Sequence, residues 1–480
     1  MPKTKSIANN SLFNIIYTCV NIFFPLIASM YVSRIILVEG VGRVSYAQNI
    51  ASYFVTLAAL GLPTYGVREI AKSRYDQKRT NNVFTELFII NAVSTTVAVL
   101  TYLLIIFNVT GFAEERRLFL CCGLLIFFNY INVDWFYRGQ EEYCYIACRS
   151  IVIKLLSLIA LLAFVRTQQD YVIFALINSL AIGGNNIFNI VYARKFVKVN
   201  FHGLNFRKHL GPLFILSLNT FLSRIYSKVD ITMLGMLSTE TATGYYAYAH
   251  KTVEVVTTAC VAISTVFLPR LSFYYNNDKK KFMQLIDLGI QVLSFIAIPA
   301  SAGFFMLAPQ IMVLLYGNAF SPAAFTVKIF SPFIIIRGFG DLLCYQLIIC
   351  TGNEKQQLPA YLLGAIANIL LNAAFIPLWA QNGAAIASLI SELILNLYQF
   401  LHIRKLIMIP INKNVLWQAT VSTLLMSIAI YLILQLQLSL LPLTILAIVV
   451  GILVYFVMSY FMKNALLQMF IKKANNRIHH

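Results

Sequence analysis

The stretch LPLTILAIVVGILVYFVMSYFMK, residues 441–463, has one charged side chain, the Lys at its end. An α-helix rises 1.5 Å per residue, so about 20 apolar residues cross the roughly 30 Å hydrocarbon core of a bilayer. Because a helix satisfies its backbone polar groups internally, it is stable in lipid. We therefore predict that this stretch forms one transmembrane helix.

Similar apolar segments, separated by short loops, fill the chain from residue 10 onward. Of the 480 residues, 59% are hydrophobic and only 11% are charged. A soluble protein of this length could not bury so much apolar surface. The sequence therefore predicts an all-α polytopic membrane protein with about 14 transmembrane helices. The other predicted spans are residues 10–36, 43–66, 83–108, 117–138, 144–165, 172–195, 210–236, 243–269, 283–308, 323–350, 358–378, 383–405 and 415–437.

Lys and Arg residues are distributed unevenly among the predicted loops. Most of them lie at the two termini and in the loops after the even-numbered spans, whereas the opposite loops hold only Arg43, Arg116, Arg117 and Arg166. Cytoplasmic loops of membrane proteins are enriched in Lys and Arg. We therefore expect both termini to be cytoplasmic, and we attribute the net charge of +19 to these loops and not to nucleic-acid binding.

The sequence also contains a weak internal repeat. GVGRVSYAQNI (40–50) aligns with TETATGYYAYAHK (239–251), and RGQEEYCYIACRS (138–150) aligns with TGNEKQQLPAYLL (351–363). The repeat predicts two parallel six-helix lobes, as in transporters that use alternating access. We expect an N-terminal lobe over residues 1–200, a C-terminal lobe over 201–410, and two added helices with a cytoplasmic tail over 411–480.

Several ionisable residues lie inside predicted spans, where a charge costs about 2.5–3.5 kcal/mol or more unless it has a partner or faces water. Arg224 and Lys228 are four residues apart and share a helix face, while Asp230 points elsewhere. Arg34 occupies the corresponding span of the first half, and Lys251 could pair with Glu254. The pattern predicts a cationic cavity for an anionic head group, with structural ion pairs and snorkelling side chains as the alternative.

Other polar residues within the spans allow further predictions. Tyr245 and Tyr248 would stack on sugar rings if they faced the cavity, although most such tyrosines lie at the membrane interface. Arg337 is expected to pair with Asp341, and Lys154 to lie over Asp134. Three acids have no local partner and are interpreted as satisfied polar contacts, or as carriers of a coupling H⁺ or Na⁺: Glu86, Asp287 and Glu392.

The sequence contains no motif of a hydrolase, an ATPase or a zinc enzyme. We therefore expect no enzyme activity, no metal site and no cofactor.

Three stretches suggest a family: TYGVREIAKSRYDQKR (64–79), RGQEEYCYIACRSIVIKLLSLIALL (138–162) and GNEKQQLPAYLLGAIANILLNAAFIPLWAQNGAAIASLISE (352–392). Over its whole length the chain resembles the Wzx-type repeat-unit flippases of O-antigen and capsule synthesis, in the multidrug/oligosaccharidyl-lipid/polysaccharide (MOP) exporter superfamily. The residues from Pro377 to Glu392 are the most specific part of this resemblance.

The resemblance implies a two-lobed transporter in the bacterial plasma membrane. It would move an undecaprenyl-diphosphate-linked oligosaccharide from the inner to the outer leaflet, with Arg34, Arg224, Lys228 and Lys251 near the diphosphate. The lipid tail would pass a gap lined by the last two spans. Membrane lipids, a polysaccharide polymerase and a chain-length regulator would be its partners. The alternatives are a lipid II-type flippase, a cation-coupled drug antiporter and a membrane enzyme acting on lipid-linked glycans.

Overall fold

The computed structural model describes residues 7–410 and 412–469, with side chains described at residue 20 and from residue 24 onward. Part of the predicted cytoplasmic charge therefore lies outside the described residues. It comprises Lys3, Lys5, Lys472, Lys473 and Arg477.

The described residues form α-helices joined by turns and short 3₁₀ or π-helical segments, and they contain no β-strand. The helices are α1 (Ile7–Ala59), α2 (Leu62–Ser73), α3 (Gln77–Asn108), α4 (Arg116–Phe127), α5 (Asp134–Gly139), α6 (Tyr143–Phe164), α7 (Tyr171–Gly183), α8 (Asn185–Ala193), α9 (Arg207–Leu237), α10 (Glu240–Thr265), α11 (Leu268–Asn277), α12 (Lys279–Tyr316), α13 (Ala323–Gly340), α14 (Leu347–Cys350), α15 (Gln357–Arg404), α16 (Lys413–Leu434) and α17 (Leu440–Phe461).

Two of these helices are long enough to hold two predicted spans each. α1 has 53 residues and is interrupted at Leu37, whose backbone is non-helical (φ 55°, ψ −168°). α15 has 48 residues and is interrupted at Ala380 (φ 45°, ψ −125°). A positive φ is unfavourable for a residue with a Cβ, so each position marks a true break between two helical segments. The breaks separate the predicted spans 10–36 and 43–66, and 358–378 and 383–405.

Ten helical stretches of the described chain are long and apolar enough to cross a membrane, and two of them have 50 and 51 residues. The prediction of an all-α, multi-span membrane protein is confirmed, and about 14 crossings are consistent with these lengths. α9 is not among the ten. Its polar residues, considered below, lower its hydropathy.

The chain divides into two compact units, Met1–Gly235 (unit 1) and Met236–His480 (unit 2). The division falls near the end of α9, so nearly all of that helix belongs to unit 1. The predicted boundaries at residues 200 and 410 were drawn from the repeat and remain predictions.

Clusters of buried side chains join the helices of unit 1. One joins α2, α3 and α5 to the start of α9 through Tyr65, Phe84, Trp135 and Leu213. Another joins α1, α3, α4 and α7. Helices in lipid associate by close packing, and small residues permit that approach. Gly66 is an example, since a Cβ there would lie 2.7 Å from the Trp135 ring.

Unit 2 also contains a cluster of buried side chains, in which α12 packs on α16 and α17. Its buried members include Leu307, Met426, Ile430 and Tyr455. The Tyr455 hydroxyl donates a 2.9 Å hydrogen bond to the Phe295 carbonyl, which fixes α17 to α12. The two C-terminal helices are thus packed on the body of unit 2.

The predicted span 117–138 is broken within unit 1. α4 ends at Phe127 and is followed by a 3₁₀ turn and by the extended residue Asn132. Free carbonyl groups at such a break need donors if the segment is to lie in a membrane. Asn186 donates to the Phe128 carbonyl at 3.1 Å, and Asn91 donates to the Asn129 carbonyl at 2.6 Å. Neighbouring helices therefore satisfy the backbone of the break.

Candidate substrate-binding site

The cationic pair predicted from the sequence lies on α9, in unit 1. Arg224 donates from Nε to the Thr56 hydroxyl of α1 at 3.3 Å. Asn49, about two helical turns before Thr56, donates to the Lys228 carbonyl at 2.9 Å and to the Thr232 hydroxyl at 2.7 Å. Polar side chains of α1 therefore hold the face of α9 that carries Arg224 and Lys228.

Among the described residues, no carboxylate lies within ion-pair distance of the Arg224 guanidinium or the Lys228 ammonium, and both side chains are partly exposed. Asp230 is buried, with 5% of its surface exposed. It lies two residues after Lys228 and therefore on a different side of the helix. Two cations on one face of a transmembrane helix are suited to bind an anionic group.

Arg34 is in the first part of α1, before the break at Leu37. It is exposed, and its Nη1 donates a 2.5 Å hydrogen bond to the Met30 carbonyl one turn earlier. Its predicted role at the head group remains a prediction.

The remaining predicted site residues belong to α10, in unit 2. The Lys251 ammonium lies 5.5 Å from the centre of the Tyr248 ring. Glu254 is exposed, and its carboxylate lies 3.6 Å from Nδ1 of His250. The pairing of Lys251 with Glu254 remains a prediction.

The tyrosines of α10 differ in their surroundings. Tyr248 has 6% of its surface exposed and stacks on Phe320 with ring centres 5.1 Å apart. It also lies 4.6 Å from the Tyr316 ring, so in this structure Tyr248 is part of the core of unit 2. Tyr245 is half-buried, with its ring edge-on to Phe320. Of the two, Tyr245 is the one with accessible surface for a sugar.

Two predicted ion pairs are wrong, because in both cases a different helix supplies the partner. Arg337 pairs with Glu392 of α15 through contacts of 2.8 and 2.9 Å, whereas Asp341 accepts hydrogen bonds from Ser264 and Gln346. Asp134 pairs with Arg149 of α6 at 3.1 Å.

Lys154, which was expected over Asp134, instead donates to the Val20 carbonyl at 3.1 Å. Its ammonium also lies 5.7 Å from the centre of the Phe24 ring.

Glu86, an acid without a local partner in the sequence, is the centre of a buried cluster in unit 1. Its carboxylate accepts hydrogen bonds from the Asn205 backbone N–H at 2.6 Å and from His209 Nε2 at 2.8 Å. It also forms a 2.8 Å ion pair with Lys208. His209 is bonded in turn to the Tyr65 hydroxyl at 2.8 Å. The interpretation of Glu86 as a satisfied polar contact is confirmed, and the cluster fixes the start of α9 to α2 and α3.

Family models match most of the chain. The model of the family described as polysaccharide biosynthesis protein matches residues 7–274. The model described as lipid II flippase MurJ matches residues 187–451.

Among individual proteins, a putative O-antigen transporter of Escherichia coli K12 is 22% identical over 399 residues, covering 82% of this chain and 96% of its own. The structure of lipid II flippase MurJ in an inward closed conformation matches with a TM-score of 0.79 at 16% identity, over 95% of this chain and 99% of that one. An inward-facing multidrug resistance MATE transporter of the MOP superfamily matches with a TM-score of 0.64 at 13% identity, over 82% and 97%. These two structures share the fold of this chain.

Proposed function

The chain belongs to the polysaccharide biosynthesis protein family, and we propose that it is a flippase for an oligosaccharide linked to undecaprenyl diphosphate. It would carry this lipid by alternating access from the inner to the outer leaflet of a bacterial plasma membrane, with both termini in the cytoplasm. The E. coli and MurJ relatives, which are named as a transporter and a flippase, support transport over an enzymatic reaction.

Arg224 and Lys228 on α9, which have no ion-pair partner among the described residues, are the observation that carries this proposal. A diphosphate offers several anionic oxygens, which Arg binds with paired hydrogen bonds and Lys binds as a point charge. A drug antiporter for cations would need acids in this position. Arg224 and Lys228 are therefore proposed to hold the diphosphate while its glycan crosses the membrane. Arg34, which is also in unit 1, is proposed as a further cation for the head group, whereas the role of Lys251, in unit 2, remains a prediction.

An apolar cavity in unit 2 supports a lipid-linked substrate. It has a volume of about 450 Å³ and lies between α12, α16 and α17, where Phe295, Gly303, Ile430, Gly451 and Phe456 are among its lining residues. Isoprenoid chains are apolar and make favourable dispersion contacts with such a surface. We propose that part of the undecaprenyl tail lies in this cavity while the head group is transported.

Lipid II is the second candidate substrate, because the MurJ family model matches residues 187–451 and the MurJ fold covers nearly the whole chain. Lipid II also carries a diphosphate, so the cations on α9 suit both lipids. The two lipids differ in their glycan, so a comparison of their transport rates distinguishes them.

Transport by the purified full chain in proteoliposomes tests these proposals. Fluorescently labelled undecaprenyl-diphosphate oligosaccharide, labelled lipid II and a cationic dye are compared, with protein-free liposomes as the control. We expect the oligosaccharide lipid to change leaflet fastest, without covalent change. Faster movement of lipid II would favour the second candidate, export of the dye alone would favour an antiporter, and a changed glycan would indicate an enzyme. Imposed H⁺ and Na⁺ gradients, applied one at a time, test the coupling ion.

A further inference from the structure

A polar cavity of about 210 Å³ lies at the broken span of unit 1. It is bounded by the end of α1, the start of α2 and the segment that joins α4 to α5, and we call it the break cavity. Its polar lining residues are Asn91, Asn129, Asn132, Asp134 and Arg138. Non-helical backbone at membrane depth is tolerated where it lines a cavity, and interrupted transmembrane helices often mark binding sites.

Two of the asparagines form the structural base of the break cavity. Asn129 donates to the Asn91 side chain at 3.0 Å and to the Thr95 hydroxyl at 2.8 Å, while Asn91 donates to the Asn129 carbonyl. These bonds use most of the hydrogen-bonding capacity of both amides. Asn91 and Asn129 therefore support the break and have little capacity left for a ligand.

The other polar residues retain groups for a ligand. Asp134 uses Oδ1 for its bonds from Arg149 and Asn189, and its Oδ2 has no donor among the described residues. The side-chain amide of Asn132 makes two long bonds of 3.3 Å to described residues, one to the Asn129 side chain and one from the Asp134 backbone N–H. Arg138 is exposed. The break cavity thus offers a carboxylate oxygen, an amide and a guanidinium.

The charges and the size of the break cavity limit the class of ligand. Arg149 neutralises Asp134, and Arg138 adds a further positive charge, so the lining does not favour a metal cation. The volume corresponds to about seven water molecules at ~30 Å³ each, which is roughly the size of one monosaccharide ring. Sugar hydroxyls both donate and accept hydrogen bonds and therefore match this mixture of groups.

We propose that the break cavity binds one sugar ring of the transported lipid, with Asn132, Asp134 and Arg138 bonded to its hydroxyls. This inference rests on the proposed function and adds to it a glycan-specific subsite. The diphosphate would be bound elsewhere, so the subsite distinguishes lipids that carry different sugars. Binding of the head group without its glycan should be independent of the break cavity.

Two variants test the subsite in different ways. Ala59→Leu adds bulk to the lining of the break cavity and leaves its polar groups intact. Arg138→Gln removes the guanidinium charge and three of its five N–H donors from an exposed position. Ala71→Leu and Arg270→Gln make the same changes at exposed positions outside it. The full chain is placed in nanodiscs, and Kd is measured for two probes: lipid-linked oligosaccharide extracted from the source cells, and undecaprenyl diphosphate without a glycan.

We expect Ala59→Leu and Arg138→Gln each to weaken binding of the glycan-bearing lipid by about tenfold. Their affinity for undecaprenyl diphosphate should stay within about twofold of wild type, as should both affinities of the control variants. Equal losses for the two probes, or no loss for either, would overturn the subsite. A wild type that binds both probes equally would overturn the subsite alone, whereas a wild type that binds neither would overturn the proposed function as well.

Discussion

Replacing Glu86 with Leu should destabilise unit 1 strongly, because three donors depend on this carboxylate. The residue is completely buried, and His209 beside it has 1% of its surface exposed. In Glu86→Leu, the His209 Nε2–H and the Asn205 backbone N–H lose their acceptor without gaining access to water. Buried polar groups left in this way carry their full desolvation cost.

The cost can be estimated from the individual contacts. Hydrogen bonds to a charged group contribute about 1.5–3 kcal/mol each, and Glu86 accepts two from poorly hydrated donors. The Lys208 side chain is 46% exposed, so its ion pair adds at most about 1 kcal/mol. We expect Glu86→Leu to lower the free energy of unfolding by about 3–7 kcal/mol. Glu86→Gln keeps one acceptor oxygen, and we expect a loss of about 2 kcal/mol.

The free energy of unfolding is measured by titrating the purified full chain in dodecyl maltoside micelles with SDS. Glu354→Leu serves as the control, because Glu354 is exposed and such substitutions usually change stability by less than about 0.5 kcal/mol. A Glu86→Leu chain within about 1 kcal/mol of wild type would refute the reasoning. Equal losses for the Leu and Gln variants would also refute it, since the donors would then not need an acceptor.

Three further predictions concern other contacts. Glu392→Leu removes the carboxylate that the Arg337 guanidinium contacts; because Arg337 is 39% exposed, the substitution should cost only about 1–2 kcal/mol in the same titration, and a loss below about 0.5 kcal/mol would mean that water replaces the carboxylate fully. Gly66→Ala places a Cβ 2.7 Å from the Trp135 indole ring and should lower the free energy of unfolding by about 1–3 kcal/mol. The control Gly211→Ala, whose Cβ would have no neighbouring atom within 4 Å, should be neutral or stabilising. Equal stability of the two variants would contradict the close packing of Gly66 on Trp135. The Asp278 carboxylate accepts a backbone N–H at the start of α12, which lowers its pKa below the usual 3.8. The loss of Tm caused by Asp278→Ala should therefore be present at neutral pH and should shrink as the pH falls below about 4 through the lowered pKa; a loss as large at pH 3 as at neutral pH would contradict the cap.

The sequence predicts the parts of this fold that depend on local composition. Length and apolarity locate nearly all of the helices, including both spans that α1 contains. The spacing of Arg224 and Lys228 predicts their shared face on α9, because that geometry depends only on the period of the helix. Their bonds to Thr56 and Asn49 of α1 were not predictable, since they depend on how two helices pack.

Contacts between separate helices account for the partners that the sequence did not predict. Glu86 meets His209 across 123 positions, and Arg337 meets Glu392 across 55. Pairing rules based on helical spacing favoured Asp341, the acid four residues from Arg337, because they consider one helix at a time. In each case the partner in the structure depends on how separate helices pack.

The break in the span 117–138 was also not predicted. Its residues are apolar enough to continue a helix, and no Gly or Pro lies between Phe127 and Asp134 to mark the interruption. The asparagines that satisfy its carbonyls, Asn91 and Asn186, come from other helices. A signal was available in the Asn residues of the apolar spans, since buried amides need partners.

The initial rate of flipping in proteoliposomes is the most direct test of the central claim, that Arg224 and Lys228 bind the diphosphate. The double variant Arg224→Ala with Lys228→Ala is compared with wild type and with Lys78→Ala plus Arg79→Ala, which removes two exposed cations from the start of α3. Losing two charge-assisted bonds of about 1.5–3 kcal/mol each should lower kcat/KM for the oligosaccharide lipid at least about 100-fold. The control should remain within about twofold of wild type. A folded double variant that transports the lipid at the wild-type rate would contradict the account.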